Sequence, residues 1–204
     1  MFVPNVRGPP IVAQNLTNCQ VNDVLRHMSE AEYGAHYIII YPSLHRLRDL
    51  YSNYVLKKIE ENNEIVIVNP FYETTDSVRR ALSEKYNHRV NAISKYEKEE
   101  SLMIVDSLEE YLGDQPLLYV KKGLANYSKM GKKGLSVLAD LGAYHHKSRY
   151  KDLVDYESSL PTKYHVPMKG FCLYHQKDFD QFSDEQQQRL IDSHGKALNI
   201  IEVL

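Results

Sequence analysis

Leu102-Met103-Ile104-Val105 is an apolar, strand-like run that ends in Asp106, the position at which nucleotide-hydrolysing enzymes hold Mg²⁺. That chemistry needs a second part, a glycine-rich loop whose backbone amides cradle the phosphates. The pattern Gly-x-x-x-x-Gly-Lys-Ser/Thr occurs nowhere in the sequence. The run therefore predicts an ATPase-like scaffold put to another use, sensing or binding. A nucleotide-binding, ATPase-like enzyme that keeps Asp106 but has a degenerate phosphate site is the alternative.

His145, His146, Cys172, His175 and His194 are the residue types that ligate zinc. Their spacing argues against it. There is no Cys-x-x-Cys pair and no His-Glu-x-x-His, and in an extended strand Cys172 and His175 point to opposite faces. The same geometry argues against a cysteine–histidine nucleophile pair, and no Gly-x-Ser-x-Gly elbow is present. The expectation is no catalytic residue, no metal and no cofactor. Glu157 is a different matter. Tyr150, Leu153 and Val154 define the apolar face of its helix, and Glu157 falls on that face one turn later, before Leu160. A carboxylate there is partly buried, so it must pair with a cation or a donor, or else have a raised pKa.

The elements that position these residues alternate short aliphatic runs with amphipathic stretches, which predicts a mostly parallel sheet covered by helices. Tyr37 to Tyr41 is continuously apolar, as a strand buried on both faces is. Further strands are expected at Glu64 to Val68, Leu102 to Val105, Gly134 to Ala139 and Lys169 to Tyr174, with a short one at Arg89 to Ala92 and a final, edge strand at Leu198 to Val203. Helices are expected from Leu44 to Ile59, from Asp76 to Tyr86 with Asp76 as cap, from Leu108 to Tyr127 with a break at Gly113 to Pro116, and at Ser148 to Leu160. Ser183-Asp184-Glu185-Gln186 fits a capping box opening a helix that runs to His194, and Gly195 suits its exit. In such sheets ligands sit beyond the carboxyl ends of the strands, which singles out Tyr41, Asn69, Asp106, Asp140 and His175.

With 204 residues the chain can bury one sizeable core. Pro4, Gly8, Pro9 and Pro10 mark an extended arm, residues 1–30, that ends in a short helix around Val21 to Met28. Twenty-five basic against 27 acidic residues give no bulk charge for nucleic acid, and the cluster Lys129, Lys132 and Lys133 reads as a solvated loop. Two cysteines make no disulfide framework. No run approaches the roughly 20 apolar residues of a membrane helix. The expectation is a cytoplasmic protein without nucleic-acid or membrane partners. Sixteen tyrosines beside no tryptophan suit rings buried with their hydroxyls on polar partners.

His36-Tyr37-Ile38-Ile39-Ile40-Tyr41, Asp140-Leu141-Gly142, Tyr156-Glu157 with Leu160-Pro161, Gly170-Phe171-Cys172-Leu173-Tyr174 and the segment from Phe182 to His194 together resemble the MEDS family. These are sensory domains of methanogens and methylotrophs named for the DcmR-type regulator, and the similarity runs from His36 to Ile201. The resemblance implies an α/β, three-layer fold, RecA- or KaiC-like without the phosphate loop, over residues 31–204. It also implies small-molecule sensing linked to transcription regulators or histidine kinases. Carried over by position, it marks His36, Asp140, Glu157, Cys172, Tyr174 and His194; Asp140 stands where bacterial relatives more often have glutamate. No kinase or helix-turn-helix module accompanies it here, so the expected output runs through a separate partner or a homo-oligomer. The expected ligand site gathers Asp140 and Glu157 to orient a polar group, with His36, Asp106, Tyr174, His175 and His194 around them. A scaffold that only recruits a partner is the third reading.

Overall fold

The structure, a computed structural model, describes residues 15–85 and 90–202. In chain order the elements are β1 (Leu16–Cys19), α1 (Val21–Glu30), β2 (His36–Tyr41), α2 (Leu44–Glu60), β3 (Ile65–Asn69), α3 (Thr75–Lys85), α4 (Val90–Lys98), β4 (Leu102–Ile104), α5 (Ser107–Leu112), α6 (Leu118–Asn126), β5 (Leu135–Asp140), α7 (Gly142–His146), α8 (Tyr150–Ser159), β6 (Met168–His175), α9 (Gln176–Phe179), α10 (Asp184–Asp192) and β7 (Lys196–Ile200). The seven strands form one sheet in the order β1-β7-β2-β6-β5-β3-β4, and every strand pairing is parallel.

The α/β class follows from the strands' apolar runs. Ile39, Leu138, Phe171 and Leu173 pack under α1, α2, α3 and α4, whereas Ile38, Ile40, Val137, Ala139, Cys172 and Tyr174 pack under α5 to α10. Alternate residues of one strand thus serve two cores. The sheet is the middle of three layers.

Several local expectations change in the folded chain. The strand expected at Arg89 to Ala92 is helix α4 from Val90 onward, with Ile93 buried and Tyr96 against the same core, and Arg89 lies outside the described residues. Four residues cannot separate a period of two from one of 3.6. Thr74, not Asp76, caps α3, its Oγ1 accepting from the Ser77 amide at 3.1 Å. The last strand is not at the edge, because Leu16–Cys19 pairs along its outer side. Of the segment assigned to an arm, residues 16–30 thus supply an edge strand and a helix that packs on α2; Pro4 to Pro10 lie outside the described residues. The capping box at Ser183 and Gln186 forms, each side chain accepting from the other's amide.

Candidate functional site: a buried cluster beneath an apolar cavity

The folded chain divides the expected site residues between the two faces of the sheet. Asp106 belongs to neither group. It stands after β4, the edge strand, and its Oδ1 accepts from the Leu108 amide at 2.8 Å, so it is the N-cap of α5. An acid after a strand and before a helix has this capping role open to it wherever it stands in the sheet.

Asp140 and His175 end adjacent strands on the face of Tyr41. Asp140 accepts from the Tyr41 hydroxyl at 2.9 Å and from the Gly142 amide at 3.1 Å. Burial pushes its carboxyl up to about 7, against the pull of those donors, and Asp178 adds to the rise. The His175 ring packs edge-on against Tyr41 and Tyr72, and Tyr72 donates to Asp178. This is a hydrogen-bonded knot at the carboxyl edge. Phe71 and Tyr72 pack so close to Gly142 that a Cβ there would meet ring atoms at 2.5 and 2.8 Å.

His36, Glu157, Cys172 and His194 converge on the other face. Each is buried, and one ligating atom of each lies within 4.8 Å of all the others. Four elements bring them together. His36 opens β2, Cys172 lies in the middle of β6 two residues along from Gly170, the register partner of His36, Glu157 is on α8, and His194 follows α10. Glu157 Oε2 stands 3.1 Å from His194 Nε2 and 3.7 Å from His36 Nε2, and Cys172 Sγ is 3.5 Å from His36 Nε2. Asp140 is not part of this group, because it and Cys172 occupy opposite faces.

Main-chain carbonyls hold both imidazoles. His36 Nδ1 lies 3.0 Å from the carbonyl of Pro161, just after α8, and His194 Nδ1 lies 2.6 Å from that of Leu190, at the end of α10. A carbonyl only accepts, so Nδ1 carries the proton in each ring. In a neutral ring Nε2 then presents a lone pair to the Glu157 carboxylate. Neither Glu157 Oε2 nor His194 Nε2 has a hydrogen bond of good geometry despite their 3.1 Å approach. Burial alone would raise the Glu157 carboxyl; His194 and His36, when protonated at Nε2, outweigh it first by donating to the carboxylate and then by their charge, and hold it down at about 2. Burial and the Glu157 charge together push the Cys172 thiol well above its usual range. Tyr174, one turn of strand further, is buried with its hydroxyl unpartnered.

Glu157 and Cys172 reach a cavity of about 230 Å³ between the β5–β6 face, α6 and α8. Tyr111, Leu124, Ala139, Tyr156 and Tyr164 give it mostly apolar walls, and Lys121 is the other charged side chain on its lining. Burial raises the phenols of Tyr111, Tyr156 and Tyr164, which keeps all three neutral. The tyrosine excess of the sequence foreshadowed such walls; of the three rings Tyr156 stood in the Tyr156-Glu157 motif, and Tyr111 and Tyr164 in none. Gly170 lets Tyr164 close over His36, their ring centroids 4.8 Å apart, because a Cβ on Gly170 would stand 2.9 Å from the Tyr164 ring. A Gly170→Ala protein is therefore expected to lose about 1–3 kcal/mol of stability by overpacking, measured by urea unfolding. A loss below a few tenths would mean that Tyr164 swings away freely.

No helix among the described residues is long and apolar enough to cross a membrane. No curated protein matches the chain. The sequence model of MEDS, the methanogen/methylotroph DcmR sensory domain, matches residues 35–195, a span that begins one residue before His36 and ends one after His194. All four clustered residues fall inside it. The chain therefore belongs to the MEDS family, and its role is a sensory, signalling one.

Proposed function

We propose that the domain senses a small, largely apolar molecule in the cavity between β5, β6, α6 and α8, with Glu157 and Cys172 beneath it. One observation carries this reading: an apolar space that ends on a buried carboxylate and thiol rather than on more hydrocarbon. A cavity of about 230 Å³ is small. Cavities of ~150 Å³ lined by aliphatic and aromatic groups already take benzene, so the occupant is a molecule of a few heavy atoms with one polar group. Asp140 and His175 then serve as a structural knot at the carboxyl edge. This moves the expected site from the strand ends to the face of the sheet.

Transmission would run through α8 and α10. They pack on one another, and each places one member of the cluster, Glu157 within α8 and His194 after α10. The signal then passes to a regulator, a histidine kinase or a second copy of the chain. The strand order supports a RecA- or KaiC-like ancestry, since one strand, β6, separates β2 from β5, and β5 ends in the buried acid Asp140. On that reading Asp140, not Asp106, descends from the metal-positioning acid. Only Pro42 and Ser43 join β2 to α2, too short a link for a phosphate cradle.

The test is a thermal-shift and calorimetric screen of short alcohols, amines and halogenated hydrocarbons against the parent and an Ala139→Phe protein, whose added ring fills the cavity. Members that raise the melting temperature of the parent and not of the variant support the reading. Equal shifts in both proteins, or none in either, overturn it.

A further inference from the structure

We infer that His36, Glu157, Cys172 and His194 form a binding site for one divalent transition-metal ion of the zinc class. The donor set, two imidazoles, a carboxylate and a thiolate, is of the kind that holds such ions. Tetrahedral coordination with bonds of 2.0–2.3 Å sets neighbouring ligand atoms about 3.3–3.8 Å apart. Three of the six separations, those around His36 Nε2 and Glu157 Oε2, are 3.1, 3.5 and 3.7 Å, and all six lie within 4.8 Å, so the wider pairs draw in on binding. The pocket of donors is thus already close to the right size.

The hydrogen bonds point the same way. Metal-bound histidines commonly fix one ring nitrogen on a carbonyl or carboxylate and turn the other to the ion. Both rings here do this, through Pro161 and Leu190. With both rings neutral, the result sets two imidazole lone pairs and a carboxylate toward one point beside the Cys172 thiol, and neither Glu157 Oε2 nor His194 Nε2 makes a hydrogen bond of good geometry. Such a convergence of acceptors in a buried space is costly unless a cation occupies its centre. Charge also balances. Binding displaces the thiol proton of Cys172 to solvent, and a doubly charged ion against one carboxylate and one thiolate leaves the site neutral. The ion would sit directly below the cavity. The inference goes beyond the sensing role and stands without it, since metal uptake is read with no organic molecule present.

The experiment titrates Co²⁺, then Zn²⁺, into the chelator-treated full chain while following absorption, with metal content measured after desalting. The expected result is one ion per chain and a thiolate-to-cobalt charge-transfer band that Zn²⁺ abolishes. The sequence has two cysteines, Cys19 and Cys172, so the band has two assignable sources. Cys19→Ser should keep it. Cys172→Ser should lose it and weaken binding by more than about 100-fold, the upper range for losing even a group that only supports a ligand, with an unchanged far-ultraviolet dichroism spectrum. If Cys172→Ser fails to fold, the Cys19→Ser protein still decides, because a band that survives there belongs to Cys172. Absence of uptake by the folded parent overturns the inference, as does a band that disappears in Cys19→Ser or persists in Cys172→Ser.

Discussion

Replacing Lys169 with methionine should destabilise the protein by about 3–5 kcal/mol, the usual cost of removing one partner of a buried ion pair. Lys169 Nζ lies 2.6 Å from Glu64 Oε1, and the two side chains are only 5% and 2% exposed. Glu64 also accepts from Ser136 Oγ, which in turn meets the Tyr54 hydroxyl at 2.9 Å, and the Lys169 ammonium lies 4.8 Å over the Tyr33 ring. Methionine keeps the stem and removes the charge, so the buried Glu64 carboxyl loses its ammonium partner and keeps the Ser136 hydroxyl. Whole domains are held by about 5–15 kcal/mol, so this change takes a large share. Guanidinium unfolding at constant ionic strength measures it. The Glu64→Leu/Lys169→Met double variant should recover most of the loss, because replacing both charges removes the desolvation burden together with the attraction. A single-variant loss under about 1 kcal/mol would show that water reaches the pair.

The second large effect is a pH dependence at Asp140. Burial lifts its carboxyl from 3.8 to about 7 in the folded protein. A carboxyl whose folded pKa is raised binds its proton more tightly when folded. Its contribution to stability is fully present below pH 4 and is lost as pH rises toward 7. The difference corresponds to about 4 kcal/mol at most. Asp140→Asn keeps an oxygen for the Gly142 amide and cannot ionise, so the lost stability should not appear. The variant should match or trail the parent at pH 5 and exceed it by a few kcal/mol at pH 8. Denaturant unfolding at pH 5, 6, 7 and 8 gives the comparison. Two parallel curves would mean that Asp140 stays ionised throughout, its charge carried by Tyr41 and Gly142.

These two predictions concern the scaffold, and the cluster of His36, Glu157, Cys172 and His194 depends on it. β6 alone carries Lys169, Gly170 and Cys172, so the buried pair on one face fixes the strand that presents the thiol on the other. Strand register makes this coupling stiff, since a slip of one residue would exchange the two faces.

The three-layer architecture was legible because its signal is local and periodic. Tyr37 to Tyr41 reads as a doubly buried strand from its composition, Leu44 to Ile59 as a helix from its spacing, and Ser183 with Gln186 as a capping box from one tetrapeptide. The same locality set the limits. Four-residue α9 and five-residue α7 are too short for a helical period to repeat, and β1 finds its identity only by pairing with β7. Glu157 stood out in the sequence as an acid on an apolar face, and its need for a partner follows from desolvation alone. Which partners it has does not. His36, Cys172 and His194 stand 121, 15 and 37 positions from it along the chain, separations that follow from their residue numbers. Parity correctly parted Cys172 from His175, but only the parallel register of β2 on β6 sets Cys172 on the face of His36, and only the packing of α8 and α10 brings in the other two. The sequence by itself determined the layers and the burial of Glu157; the tertiary structure decided what that acid faces, because convergence of distant side chains is a property of register and packing that no local pattern records.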